Sequence, residues 1–129
     1  RRFRLANRER DRMTEALAAR SALIGGGIVS DRVALYRRGR EAVTGALALI
    51  AAEGLLTKAE ATARREAIDA FEPPVFPLSG RDVVEAGIGR GPAVGVILRH
   101  LEDWWLREDF RPDAAALRRR LQAMVAAQQ

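Results

Sequence analysis

Apolar residues recur along this chain at intervals of three and four, the spacing of one face of an α-helix, and no alternating run is long enough to predict a strand. Segments rich in Gly and Pro divide the pattern into six predicted helices. These helices cover about 7–24, 30–54, 57–71, a short segment from 79, 92–108, and 113 to near the end. The pattern therefore predicts an all-α fold, an array of about six helices with short Gly/Pro connections, in a single domain spanning residues 1–129.

The same periodicity predicts which residues face the core of the first two helices. In the first helix, capped by Asn7, we expect an inward face of Met13, Leu17 and Ile24. In the second, one continuous helix from Ser30 to Gly54, the expected apolar stripe consists of Val33, Tyr36, Val43, Leu47 and Ile50.

Capping residues mark the starts and stops of the later helices. Thr57 and Glu60 have the spacing of a capping box. Ser79 is placed to cap the short helix, whose first turn carries Asp82, and Gly87 is placed to end it. Pro92 then suits the first position of the next helix, where its missing N–H has no cost.

Composition is that of a globular protein with an arginine excess. The 129 residues are 48% hydrophobic, and 22 Lys+Arg oppose 17 Asp+Glu for a net charge of +5. Lys58 is the only lysine, and residues 1–20 hold seven arginines against three acidic residues. Arginine favours bidentate phosphate contacts, so the balance is typical of a polyanion partner. GC-rich codon usage explains it equally well.

Several classes of protein are disfavoured. The chain has no cysteine and only one histidine, His100, so a disulfide framework or a thiolate zinc site is excluded. No apolar stretch reaches the length of a membrane span, and no signal peptide opens the chain. We expect a cytoplasmic protein without a membrane partner. Because the chain starts at Arg1 within a basic run, we also expect it to be a piece of a longer protein.

The turn between the short helix and the Pro92 helix is the main candidate site. Gly89 and Gly91 expose backbone N–H groups next to a helix N-terminus, with Arg90 alongside, and such groups bind phosphate. The alternative is a structural use, in which the glycines let two helices pack closely at a sharp angle. Arg81 lies in the first turn of the short helix. Its neighbour Asp82 is expected to hold an N–H group or an arginine rather than to perform chemistry.

Arg40, the two tryptophans and the histidine also allow structural or functional interpretations. On a continuous second helix Arg40 falls inside the apolar stripe, which requires either an acidic partner or a groove-facing RNA contact. Trp105 is expected in the core. Trp104 is expected to pack against the last helix, with an exposed stacking platform as the alternative. His100 is expected to be solvated.

A family resemblance covers nearly all of the chain. The opening RRFRLANRERDRM, with Arg4, Asn7, Glu9 and Arg10, is followed in order by Leu35-Tyr36-Arg37, FPLSGRD, GRGPAVG, DWW, Phe110 and Pro112-Asp113. Gly80 and Asp82 match a Gly-x-Asp motif. In order and spacing these segments resemble the C-terminal body and tail of bacterial tRNA nucleotidyltransferases, the CCA-adding and poly(A) polymerase family.

The resemblance implies a piece that binds tRNA without performing catalysis. The family's head carries a Gly-Ser motif and paired metal-binding aspartates, which have no counterpart here, and the chain lacks any Asp-x-Asp. Mg²⁺, CTP and ATP would belong to the parent protein, and no cofactor to this piece. The implied partners are tRNA and the catalytic head, with Arg81, Gly89, Arg90, Gly91 and Arg40 as candidate RNA contacts. The alternatives are a helix-hairpin-helix-like DNA-binding module and a helical interaction or oligomerisation domain.

Overall fold

The computed structural model describes residues 2–128, with side chains described for residues 8–27 and 29–127. Within that range it contains seven α-helices and no strand, which confirms the all-α prediction. The helices are α1 (Arg2–Leu23), α2 (Ile28–Arg38), α3 (Arg40–Ala52), α4 (Lys58–Ala70), α5 (Gly80–Glu85), α6 (Pro92–Arg107) and α7 (Ala114–Gln128).

The predicted second helix is two helices, so the prediction of one continuous helix was wrong. Gly39 separates α2 from α3 with φ of 91°, a region that favours glycine. Its N–H still donates to the Leu35 carbonyl at 3.0 Å, which closes α2. Tyr36 and Val43 are two helical turns apart in sequence, so the apolar spacing passes across Gly39 without revealing the break.

The inward face predicted for α1 was also wrong. Met13, Leu17 and Ile24 are 57%, 51% and 44% exposed, while the buried residues are Ala16, Ala19 and Leu23. Small residues let α1 approach α3 closely, since a Cβ added at Gly45 would lie 3.3 Å from the Cβ of Ala16. Asn7 lies inside α1, which begins at Arg2, so it is not the residue before the helix. Its side chain is outside the described residues.

The chain divides into two compact units, Arg1–Pro73 and Pro74–Gln129, here called the first and second units. The core of the first unit is built from buried aliphatic residues of α1 to α4, including Leu23, Val43, Leu47, Ile50 and Ile68. Trp105 is fully buried in the second unit, as predicted, with its ring 5.2 Å from Phe76 and 4.9 Å from Phe110 in edge-to-face geometry. The single domain over residues 1–129 stays a prediction.

A buried ion pair joins three helices of the first unit. Asp31, in the first turn of α2, is 2% exposed, and Arg64 of α4 donates from Nε to its Oδ2 at 2.8 Å and from Nη2 to its Oδ1. Nη2 also donates to the Leu23 carbonyl at the end of α1, at 3.2 Å. The hydrogen bonds to Asp31 raise the pKa of the Arg64 guanidinium above its ordinary value.

We predict that Asp31→Asn destabilises the protein by about 3 kcal/mol, because it leaves the Arg64 cation largely buried without its counter-charge. Urea unfolding measures the loss. The control is Arg65→Ala, which removes an exposed arginine of the same helix that lies 4.0 Å from Asp69. Its cost should stay within about 0.5 kcal/mol. Equal losses in the two variants would contradict a special role for the buried pair.

Candidate nucleic-acid interface

The short helix α5 starts at the predicted cap. The carboxylate of Asp82 accepts hydrogen bonds from the Ser79 backbone N–H at 2.8 Å and from the Ser79 hydroxyl at 3.1 Å. The backbone hydrogen bond is the main reason that the pKa of Asp82 lies below its ordinary value. Arg118 of α7 lies 3.9 Å from the other carboxylate oxygen. Asp82 therefore holds an N–H group and faces an arginine, as expected.

Gly87 ends α5 as predicted and turns the chain toward α6. Its φ is 114°, its N–H donates to Val84, and the N–H of Ile88 donates to Val83, at 3.1 and 3.3 Å. This pair of bonds is the Schellman motif, which satisfies the last carbonyl groups of a helix. Val83 and Ile88 are both buried, so the turn is anchored in the apolar interior of the second unit.

The candidate turn follows directly. Gly91 is the N-cap of α6 with φ of 143°, and Pro92 is its first residue, as predicted. Gly89 has no such φ, and an added Cβ there would meet nothing within 4 Å. Glycine is thus required by the backbone at 91 and not at 89. The backbone N–H groups of Gly89, Arg90 and Gly91 donate no hydrogen bond to any described part of the chain.

Three of the five predicted contact residues come together in one shallow surface groove of about 700 Å³. Arg81, Arg90 and Gly91 line this groove between α5 and α6. Arg81 donates to Glu85 at 3.1 Å, one turn along its own helix. Arg90 is exposed and has no carboxylate within ion-pair distance among the described residues. Gly89 lies in the turn just before these residues and does not line the groove.

Arg40 lies in the first unit, at the start of α3, and its donors are engaged. Nη1 donates to the Ile68 carbonyl at 2.7 Å and Nη2 to the Phe71 carbonyl at 3.0 Å. Asp69 and Glu72 each lie 3.8 Å away. The side chain is 41% exposed rather than set in an apolar stripe, because the break at Gly39 moves it to a helix end. Arg40 thereby supplies donors to the C-terminal carbonyls of α4.

Arginines are used differently in the two units. In the first unit, carboxylates pair with Arg12, Arg20, Arg38, Arg40, Arg64 and Arg65. Arg8, Arg10 and Lys58 have no such described partner. In the second unit, Arg81 and Arg118 are paired, and six exposed arginines have no carboxylate within 4.0 Å in the described structure. These six, here called the unpaired arginines, are Arg90, Arg99, Arg107, Arg111, Arg119 and Arg120.

Sequence reasoning missed this contrast. The arginine excess of residues 1–20 favours a polyanion contact in that segment. In the structure, however, Arg12 and Arg20 form ion pairs with Glu41 and Glu53. Their partners lie about thirty residues away, beyond the reach of any local pattern. Only pairs at a spacing of four, such as Arg81 with Glu85, carry a sequence signal.

Trp104 and His100, both on α6, lie in the environments that the sequence predicts. Trp104 is half-buried, and the guanidinium of Arg120 on α7 lies over its ring at 4.3 Å from the centroid. Packing against the last helix is thus confirmed. His100 is exposed, as expected.

Neither a metal-binding cluster nor a membrane-spanning helix is found among the described residues. No group of three or more His, Cys, Asp or Glu side chains is arranged to hold a metal ion there. Among the described helices, none combines the length and apolar character needed to cross a membrane.

Comparison with protein-family models, with curated proteins and with solved structures finds no match to this chain. Functional inference therefore depends on the site geometry and on the motif resemblance.

We predict that Asp82→Asn destabilises the protein by about 1 kcal/mol at neutral pH, the usual cost of a lost N-terminal cap. Folding lowers the pKa of Asp82, so its contribution is complete above the unfolded value of about 3.9 and disappears as the pH falls through the folded value. Urea unfolding should show that the difference in unfolding free energy between Asp82→Asn and wild type is smaller below pH 4 than at pH 6. Glu85→Gln, on the same short helix, is the control and should cost less at pH 6.

We also predict that Gly91→Ala lowers stability by about 1–3 kcal/mol, because φ of 143° is accessible almost only to glycine. The matched variant Gly89→Ala should change stability by no more than about 0.5 kcal/mol, since its Cβ enters open space. Chemical denaturation of both variants measures the difference. If Gly89→Ala were the more damaging, the assignment of backbone strain to Gly91 would be incorrect.

Proposed function

We propose that this chain is the tRNA-binding helical part of a nucleotidyltransferase of the CCA-adding and poly(A) polymerase family. In this proposal it holds the tRNA acceptor arm by its phosphate backbone while a catalytic head extends the 3′ end. The family assignment rests on the ordered motifs. The observation that carries RNA binding is the set of six exposed, unpaired arginines in the second unit.

Unpaired arginines favour phosphate binding for a direct energetic reason. An arginine already paired with a carboxylate must give up that interaction before it binds phosphate, whereas Arg90 has no such pair to lose among the described residues. Its planar guanidinium presents donors that match two phosphate oxygens. Exposed cations also release condensed counterions from RNA, which supplies affinity without sequence preference.

The groove between α5 and α6 is the best place for a backbone contact. Arg90 and the N-terminus of α6 both supply positive potential to it, and Gly91 has no side chain to obstruct an approaching phosphate. Arg81 lines the same groove with its Nε held by Glu85, which leaves its other guanidinium nitrogens for a ligand. One or two phosphates fit this arrangement of donors.

Catalysis belongs elsewhere in this proposal. The resemblance assigns nucleotide addition, with Mg²⁺, CTP and ATP, to the head of the parent chain, in the cytoplasm. Two described carboxylates lie at the groove or at the N-terminus of α5. Asp82 accepts a hydrogen bond from Ser79, and Glu85 accepts one from Arg81. Both therefore have structural partners.

One observation favours a second candidate, a module that binds duplex DNA. Two helices, α5 and α6, flank a glycine-rich turn whose N–H groups have no described partner, as in helix-hairpin-helix modules. That motif also binds phosphates, so the geometry of the turn alone does not separate RNA from DNA. The two candidates are separated by which nucleic acid, tRNA or duplex DNA, the chain binds more tightly at the same salt concentration.

We predict that the chain binds tRNA with an affinity that falls steeply with salt, and that Arg90→Ala weakens this binding roughly fivefold at low salt. The slope of log K against log salt should decrease by about one, as expected for one lost phosphate contact. Arg118→Ala is the matched control, because Arg118 is exposed but already faces Asp82. Fluorescence anisotropy with labelled tRNA, with melting temperatures recorded in parallel, makes the comparison.

Three results would change the proposal. Affinity that does not vary with salt would exclude a phosphate-based contact. Equal losses for Arg90→Ala and Arg118→Ala would remove the groove from the interface. Tighter binding to duplex DNA than to tRNA would favour the helix-hairpin-helix candidate.

A further inference from the structure

We propose that Arg120, held over the ring of Trp104, is a stacking platform for an unpaired nucleobase of the bound RNA. This inference rests on the proposed RNA-binding function and adds a second kind of contact to it. The groove at α6 takes phosphates, whereas the pair of Arg120 and Trp104 would take the flat face of a base.

The pair is built from two helices of the second unit. Trp104 lies in the second half of α6 and is half-buried, and Arg120 projects from α7 so that its guanidinium carbon is 4.3 Å from the ring centroid. At that distance the cation is attracted by the negative face of the indole ring. One side of the guanidinium is therefore occupied by Trp104, and the side chain as a whole remains exposed.

Among the described residues, Arg120 has no other partner that would explain its position. It has no carboxylate within 4.0 Å among the described residues, although its neighbour Arg118 faces Asp82. The indole N–H of Trp104 likewise donates to no described group. Guanidinium and indole donors thus lie together at the surface, free to bind a base edge or a phosphate.

A second arginine–aromatic pair, in the first unit, is less exposed. The guanidinium of Arg32 lies 4.8 Å from the ring centroid of Phe71, but Arg32 is half-buried and Phe71 packs against the core of the first unit. Both residues of that pair are thus partly covered by the first unit. Arg120 differs from Arg32 in being exposed, so its outer face is accessible to a ligand.

The chemistry of such a surface suits a base in a single strand or loop. Bases stack on guanidinium planes and on aromatic rings, and this stacking tolerates any base because every base has a π face. Holding the guanidinium over the indole ring in advance reduces the entropy lost on binding. Arg107 follows Trp104 by one helical turn, is exposed and is unpaired, so it provides a cation on the same face of α6 for the adjoining phosphate.

The test compares two probes of equal length, a single-stranded oligoadenylate and an abasic oligonucleotide with the same number of phosphates. We expect the intact chain to bind the oligoadenylate about tenfold more tightly, within the usual range for one stacked base. Tryptophan fluorescence should be quenched by the oligoadenylate only, and the quenching should be lost in Trp104→Leu while the buried Trp105 remains.

Arg120→Lys is the decisive variant, because it keeps the charge and removes the planar group. It should abolish the tenfold preference while leaving the affinity for the abasic probe nearly unchanged. The matched control is Arg119→Lys, a neighbouring exposed arginine with no aromatic partner. That variant should retain the preference.

Failure of the platform can be told from failure of RNA binding. If both probes and tRNA bind with steep salt dependence but equally well with and without bases, the platform is wrong and the proposed function stands. If neither probe nor tRNA binds, the proposed function fails as well. Quenching that persists in Trp104→Leu would also overturn the assignment. If Arg120→Lys does not fold, the comparison of the two probes and the quenching in the intact chain still decide the question.

Discussion

The bidentate pair between Arg64 and Asp31 is the interaction on which the first unit depends most. A carboxylate that is 2% exposed is tolerated only because two guanidinium nitrogens neutralise it. The same guanidinium also contacts α1, because it donates a hydrogen bond to the carbonyl of the last residue of that helix, Leu23. Three helices are thereby fixed relative to one another by one side chain. Arg40 performs a related task at the end of α4, where it donates to the carbonyls of Ile68 and Phe71, the first of which also accepts from the Phe71 N–H.

The two units therefore use arginine for different purposes. In the first, guanidinium groups mostly hold carboxylates and helix ends. In the second, the interior is apolar and aromatic around Trp105. The carboxylates of Asp82 and Asp113 accept backbone N–H groups at the starts of α5 and α7, from Ser79 and Ala116. Most arginines of the second unit lie at the surface with no carboxylate within 4.0 Å among the described residues. A polyanion gains most from cations of that kind, because no existing ion pair is lost when it binds.

Part of the candidate site could be predicted from the sequence. Arg90, Gly91 and Pro92 are recognisable because a cap, a positive φ and a helix start depend on neighbouring residues only. Arg81 was included for its place in a first turn, and the structure brings it to the same groove. Arg40 shows the limit of this reasoning. Its assumed place in an apolar stripe depended on a continuous helix, and its carbonyl partners are 28 and 31 residues away.

The sequence by itself determined the helical class, the caps at Thr57 and Ser79, the stop at Gly87 and the start of α6 at Pro92. Each of these depends on hydrogen bonds within about four residues, so local pattern is sufficient. The tertiary structure decided which face of α1 is buried and which arginines remain unpaired. Leu17 is more hydrophobic than Ala16, but Ala16 is the buried residue, and it lies so near Gly45 that a Cβ added there would come within 3.3 Å of its own Cβ. Close packing between distant segments overrides hydrophobicity there, and no local pattern encodes the identity of the facing residue.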